Sequence, residues 1–481
     1  MNSAFLLSFC KFVINYTTIV LITRTTVVFY SHFRPLPIKH QFDSDIFLYM
    51  GKCAKQAKNH ISDIIAKMAQ QASLFAVNPR KDFTRNRDID FQTLLRILLS
   101  IGGNSLNKEL YDYFKAKDYV PTKSAFVQQR AKLLPEALGY MIHEFNDRIP
   151  AKKTLSGYRL YAIDGSDFNI SLNQESDTYF KKQPHNQLHV NVMFDVLNQR
   201  YEDLVVQPSP KQDERAAALA MLYRNALPKK SIVIMDRGYG GLNLIEHFRR
   251  MNVDYLIRVK NDIWKEVAAL PMKTFDTEIT IEVRTSQTNK DKEAFTSGKA
   301  KWIAGPGKYK QRKYSSWDFE SPCKVTLRVV RFKISEDTYE TIVTSLNRFE
   351  FPGSRIKYLY HLRWNIETSF RDLKYSIGAA QFHAKKEPFV LQEIYARILF
   401  YNFCSAVIKS ISVNRYNHRK YIYQITFSMA VNILRDYIRY TGKSPPIEEL
   451  LIRYAEPVRP GRRDKRKLKP KSFISFLYRI A

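Results

Sequence analysis

Between Arg159 and Lys260 the chain reads as three β-rich runs, then helix, strand, helix and strand, and this order restricts the fold more than any other feature. The runs "RLYAIDGSDFNI", "LHVNVMFDVL" and "YEDLVVQPS" are joined by turns or short loops. "DERAAALAMLYRNAL" and "LNLIEHFRRMN" have helical spacing of apolar residues, while "SIVIMD" and "DYLIRVK" have the length and composition of buried strands. A βββαβαβ order predicts an α/β sheet rather than a helical bundle or a β-sandwich.

That order matches the ribonuclease-H-like α/β fold, in which the ends of the first and fourth strands lie side by side. From about Ile263 to Asn347 helices cease, and "TEITIEVRT", "KVTLRVVRFKI" and "YETIVTSL" read as the strands of an inserted β-rich subdomain. Upstream, the pattern from Asn59 to about Phe145 is helical; its basic helix "SAFVQQRAKLL" carries Gln128, Gln129, Arg130 and Lys132, which suit either a DNA groove or the solvated face of a bundle. The expected organisation is an apolar leader over 1–49, an α-helical DNA-binding domain over 50–150, the core in two parts over 151–262 and 348–410 around the insertion at 263–347, and C-terminal helices with a basic tail over 411–481.

At 481 residues, 45% hydrophobic and 13% aromatic, the chain has the means for large cores in more than one part. Lys and Arg number 77 against 46 Asp and Glu, a net charge of +31, which fits a polyanion, above all nucleic acid. Eight of the thirteen residues from Arg459 to Lys471 are Lys or Arg, the composition of a phosphate-binding arm. Cys10, Cys53, Cys323 and Cys404 are scattered without metal-binding spacing and read as reduced thiols. In the apolar opening, Lys11 and Arg24 leave only the twelve residues Phe12–Thr23 uninterrupted, short of a membrane span, and the reading is a leader ahead of a start at Met50.

The candidate chemistry lies in carboxylates. Asp164 ends the run "RLYAID" and Asp236 ends "SIVIMD", so each stands where a central strand leaves the sheet. Alone, each is an ordinary turn or cap residue. A third carboxylate, Glu367, lies in "YLYHLRWNIETSFRDLK", where Leu359, Leu362, Ile366, Phe370 and Leu373 form an apolar helix face and Tyr360, Glu367 and Lys374 form a stripe beside Arg363. A single Glu–Arg pair four apart is usually structural. Three carboxylates at one sheet edge would hold two hard divalent cations, about 3.5–4 Å apart in phosphodiester chemistry.

On these residues the chain resembles the DDE transposases of bacterial insertion sequences. "YAIDGS", "IMDRGY" and "YHLRWNIETSFRDLK" are similar to the Asp, Asp and Glu motifs of the type-four group, whose signature is Tyr-x2-Arg-x3-Glu-x6-Lys. The resemblance spans roughly residues 80–410 and includes the β-rich insertion. It implies Asp164, Asp236 and Glu367 as catalytic metal ligands, with Tyr360, Arg363 and Lys374 on the DNA backbone. It further implies two Mg²⁺ ions replaceable by Mn²⁺, double-stranded DNA (terminal inverted repeats and target) as partner, a homodimer on that DNA, no small-molecule substrate, and a bacterial cytoplasmic location away from membranes.

Other residues near the motifs have plainer expectations. Asp167 and Asp195 are read as turn and strand-end residues, His185 and His189 as polar loop or surface residues, and Trp364 as core. Two other functions stay open: a ribonuclease-H-fold nuclease without strand transfer, and a catalytically inactive, transposase-derived DNA-binding protein.

Overall fold

The computed structural model describes residues 20–23, 26–29, 43–115, 119–284, 289, 293, 296–297, 301–302, 317–336, 338–411, 413, 421–439 and 446–458. The basic arm at 459–471, Cys10 and most of the apolar leader lie outside the described residues. The chain divides into two compact units, Met1–Tyr49 and Met50–Ala481. In the first, β1 (Val20–Thr23) and β2 (Thr26–Phe29) pair antiparallel.

The second unit starts within α1 (Asp43–Gln70), followed by α2 (Phe91–Ser100), α3 (Leu106–Phe114), α4 (Lys123–Arg130) and α5 (Glu136–Arg148). Asp90, Ser105 and Thr122 cap the first turns of α2, α3 and α4 with side-chain oxygens, which fixes where these helices begin. Next come β3 (Arg159–Ile170), β4 (Tyr179–Phe180), β5 (His185–Asp195), β6 (Arg200–Pro208), α6 (Glu214–Arg224), β7 (Ser231–Met235), α7 (Leu242–Met251) and β8 (Asp254–Val259). The expected βββαβαβ order is present, with only the two-residue β4 added.

α8 (Lys265–Ala268) precedes β9 (Phe275–Arg284), β10 (Lys301–Trp302), β11 (Cys323–Ser335) and β12 (Thr338–Thr344). α9 (Gly353–Leu362) and α10 (Trp364–Arg371) carry the signature residues; α11 (Glu387–Ser410), β13 (Tyr423–Ile425), α12 (Phe427–Arg439), α13 (Ile447–Arg453) and β14 (Ala455–Pro457) complete the chain.

One mixed sheet of ten strands organises the unit, in the order β10-β9-β11-β12-β8-β7-β3-β5-β4, with β6 also on β5. β3, β7 and β8 run parallel, each joined to the next by hydrogen bonds, and their neighbours on both sides are antiparallel. The β-rich insertion is therefore not a detached subdomain: β12 pairs with β8, and its strands extend the central sheet.

Strand alternation sorts side chains onto two cores. Leu160, Ala162, Ile232, Ile234 and Ile342 face one apolar cluster with α1–α5 and α9–α13, while Tyr161, Ile163, Val233, Met235 and Val343 face another with α6, α7 and α8. The helices of the expected DNA-binding domain thus share a core with the sheet and the C-terminal helices.

Arg130, read as facing either a DNA groove or solvent, is buried. Its guanidinium donates to Gln392 (3.1 Å), to Glu393 (3.2 Å) and to the Phe389 carbonyl (2.7 Å) on α11, and Gln129 beside it is buried too. A charge this deep persists only when paired, and Glu393 supplies the pair. Cys53, Cys323 and Cys404 are free thiols. Among the described residues no helix is long and apolar enough to cross a membrane.

Candidate active site

β3 and β7 are in parallel register with Ile163 opposite Met235. The next residues, Asp164 and Asp236, therefore lie side by side where β7 stops, the position at which α/β sheets commonly place ligands; Asp164, expected to end its strand, is instead inside β3, which runs on to Ile170 because β5 continues to pair with it. Asp164 Oδ1 accepts the Gly165 N–H at 2.9 Å, and Asp236 caps the short turn Arg237–Tyr239 through the Gly238 N–H at 3.3 Å. Burial pushes the Asp164 carboxyl up to about 6 against the pull of Arg363 and the Gly165 N–H, and the charges of Asp236 and Glu214 add to the rise.

The segment carrying Glu367 is helical but not uniform. At Arg363 the ladder tightens, with Arg363 N–H on the Tyr360 carbonyl (3.1 Å) and Ile366 N–H on the Arg363 carbonyl (3.0 Å), and from Asp372 to Ser376 it widens into a π turn that holds Lys374. Leu359, Ile366, Phe370 and Leu373 are buried as the spacing predicts. Arg363 is buried as well. It donates Nη1 to Asp164 Oδ2 at 3.0 Å and Nη2 to Glu367 Oε1 at 2.6 Å, bridging the strand carboxylate and the helix carboxylate.

Lys374 Nζ donates to Ser166 Oγ (2.7 Å) and to the Asp167 carbonyl (2.8 Å), so the far end of the signature segment also meets β3. Tyr360 is buried, and its hydroxyl has no partner among the described residues. The structure thus brings Asp164, Asp236, Arg363, Glu367 and Lys374 to one edge and sets Tyr360 into the wall behind them.

Trp364, expected in the core, is 54% exposed: it follows Arg363 on the helix and faces away from the apolar stripe. His189, expected on the surface, is buried 2.7 Å from Asp167 and 3.2 Å from Glu214. Burial opposes a charged ring there, but the bonds and charges of the two carboxylates outweigh it and raise its pKa to about 9. Gly165 makes room for this ring, since a Cβ at 165 would stand 2.1 Å from His189 Nε2. Asp167 also accepts from Ser209 Oγ, and Asp195 is buried and held by Arg159 and Asn198. His185 stacks on Phe180.

A cavity of about 730 Å³ opens at this edge, lined by Asp164, Asp236, Glu214, Tyr239, Arg237 and Lys260 among others. Glu214 carries no sequence signal for the site, and Tyr239 has only its place at the end of the "IMDRGY" run that holds Asp236. Glu214 reads as the first residue of a helix capped by Asp213, and Tyr239 as an ordinary buried aromatic. The oxygen-only set of Asp164, Asp236 and Glu367 has the donor chemistry that hard divalent cations take, and the Arg363 guanidinium between two of them is a stand-in cation. Among the described residues no three acidic, imidazole or thiol side chains converge closely enough to hold a metal ion. The residues fit the ions in kind.

Residues 155–403, more than half of the chain, match the family model described as the transposase DDE domain, and the chain belongs to that family. No curated protein matches it in sequence. Among solved structures it is similar to a piggyBac transposase in a synaptic complex with hairpin DNA, at 10% identity over 88% of each chain and a TM-score of 0.41, a likeness too slight to bear on fold or function.

Proposed function

We propose that the protein is a DNA transposase of the type-four group of insertion sequences, with a ribonuclease-H-like core. In this reading it cleaves the ends of its element and transfers the freed 3′-hydroxyls to target DNA. The observation that carries the proposal is the placing of Asp164, within β3, beside Asp236, the residue after β7, with Glu367 tied to the same point through Arg363.

Asp164, Asp236 and Glu367 would hold two Mg²⁺ ions, or Mn²⁺, which supply an activated water for cleavage and charge neutralisation at the phosphorus. The side chains do the positioning. Asp164, fixed by Gly165, and Asp236, fixed by Gly238, present oxygens from the rigid sheet. Lys374 stands at the edge to orient a backbone phosphate, and the exposed Arg237 and Lys260 extend the basic lip of the cavity. Tyr360 and Arg363 are buried behind Asp164, and Arg363 reaches a phosphate by exchanging it for a carboxylate. The partner is double-stranded DNA, bound as terminal repeats and target by a homodimer in a bacterial cytoplasm; the charge of +31 supports the polyanion.

The test is Glu367→Gln, which keeps shape and most hydrogen bonding but removes the charge. The purified variant should fold and bind a terminal-repeat duplex yet fail to nick it with Mg²⁺. Nicking at the wild-type rate would overturn the assignment. Strand transfer by the wild-type protein separates the transposase from a nuclease that only hydrolyses.

A further inference from the structure

Glu214 reaches this edge from a separate element, the first turn of α6, where Asp213 caps the helix and leaves the next side chain aimed at the sheet. Its Oε1 stands 3.2 Å from His189 Nε2, while its Oε2 is the atom a Cβ on Gly238 would meet at 3.1 Å. The carboxylate thus lies between the neighbourhood of Asp164 and the turn after Asp236, and it lines the cavity with both. Glu367 does not line that cavity; its carboxylate is held by Arg363.

A second observation shows that something is to be bound there. Tyr239 lines the same cavity and is 1% exposed, and its hydroxyl has no hydrogen-bond partner among the described residues. Burial, reinforced by the charges of Glu214, Asp164 and Asp236, holds the phenol far above its ordinary pKa, so it stays protonated. A buried O–H with nothing to donate to is costly, and a bound ion's water shell or a phosphate oxygen relieves that cost.

We propose that Glu214 is a fourth cation-holding carboxylate of this site, closing with Asp164 and Asp236 around the cavity that the unpartnered Tyr239 hydroxyl lines. His189, held in turn by Asp167, orients it, as second-layer partners orient ligands in metal sites. The proposal rests on the reading of this edge as a metal site.

The test is Mn²⁺ binding to the full-length, DNA-free protein, followed by calorimetry and by the electron paramagnetic resonance signal of free Mn²⁺. Four proteins are compared: wild type, E214Q, D164N and E175Q, the last removing an exposed carboxylate elsewhere. Circular dichroism establishes that each is folded, and E214D, which keeps the charge, stands in if E214Q is not. The expected result is a loss of Mn²⁺ affinity of about tenfold or more, or loss of one bound ion, in both E214Q and D164N, with E175Q like wild type. For E214D the expectation is weakened but measurable binding, and wild-type binding by E214D in that case overturns the proposal. Wild-type binding by E214Q alongside weakened binding by D164N overturns the role of Glu214 alone. Wild-type binding by both overturns the metal site and the proposal with it. An equal loss in E175Q would mean a general charge effect and would also overturn it.

Discussion

Arg363 holds its Nη1 3.0 Å from Oδ2 of Asp164, a residue 199 positions earlier in the chain. The pair joins the signature helix to the central strand and neutralises a carboxylate that burial already makes costly to ionise. Arg363→Gln removes the counter-cation of Asp164 and of Glu367 together. The expected loss is on the order of 2 kcal/mol in urea denaturation with EDTA, below the range for a fully buried pair because both carboxylates keep some water. Millimolar Mg²⁺ should restore part of it, and restore more than it adds to the wild type. A variant indifferent to Mg²⁺ would show that these carboxylates do not attract the ion.

A second buried charge ties α4 to α11. Glu393 accepts from Arg397 at 3.0 Å, from Arg130 at 3.2 Å and from the His383 N–H at 3.0 Å. Burial alone would raise its pKa, but His383, Arg397 and Arg130 together hold it far below the ordinary 4.5. A depressed folded-state pKa gives stability that is present above the unfolded value and lost as pH falls below it. The urea midpoint should therefore decline progressively below about pH 4.5. Glu393→Gln should flatten that decline and cost about 3–5 kcal/mol at neutral pH by leaving two buried guanidinium groups unpaired. An unchanged pH profile in the variant would assign the acid sensitivity to other groups.

How much of this was legible depends on the range of each signal. The strand order and the place of Asp236 directly after β7 were readable because apolar runs and turn residues are local patterns, whereas Asp164, expected to end its strand, lies within β3, whose pairing with β5 to Ile170 no local pattern shows. The apolar face of the signature helix was readable for the same reason. Arg130 was not, since a basic residue on a helix gives no hint that its partner Glu393 lies 263 residues away. His189, Trp364 and Glu214 were hidden likewise: burial of the first, exposure of the second and the aim of the third are set by Asp167, by the tilt of α10 and by where α6 starts. That the inserted β-rich block extends the central sheet was not readable, because its union with the core runs through β12 on β8, a pairing no local pattern encodes.

DNA affinity should fall steeply with salt, because a chain of charge +31 displaces many counterions from a duplex. Removing residues 459–481 should make the plot of log affinity against log salt shallower by about 0.9 for each phosphate the arm no longer neutralises, and leave Mg²⁺-dependent nicking measurable. A slope unaltered by the deletion would show that the arm does not touch DNA.

The Tyr239 hydroxyl allows stability and activity to be separated. Most buried tyrosines lose stability on conversion to phenylalanine because a hydrogen bond is broken, typically about 1 kcal/mol. Tyr239 has no such bond among the described residues, and the residue lines the cavity with Asp164, Asp236 and Glu214. Tyr239→Phe should therefore leave the thermal midpoint unchanged or slightly raised. If the hydroxyl donates to a bound water or phosphate during the reaction, nicking of a terminal-repeat duplex should slow about tenfold, the worth of one hydrogen bond to a charged group. The structural alternative forecasts the reverse, a lowered midpoint with an unchanged rate. Measuring both on the same preparation distinguishes them, and a variant that is destabilised but cleaves at the wild-type rate would remove Tyr239 from the site and return it to the core.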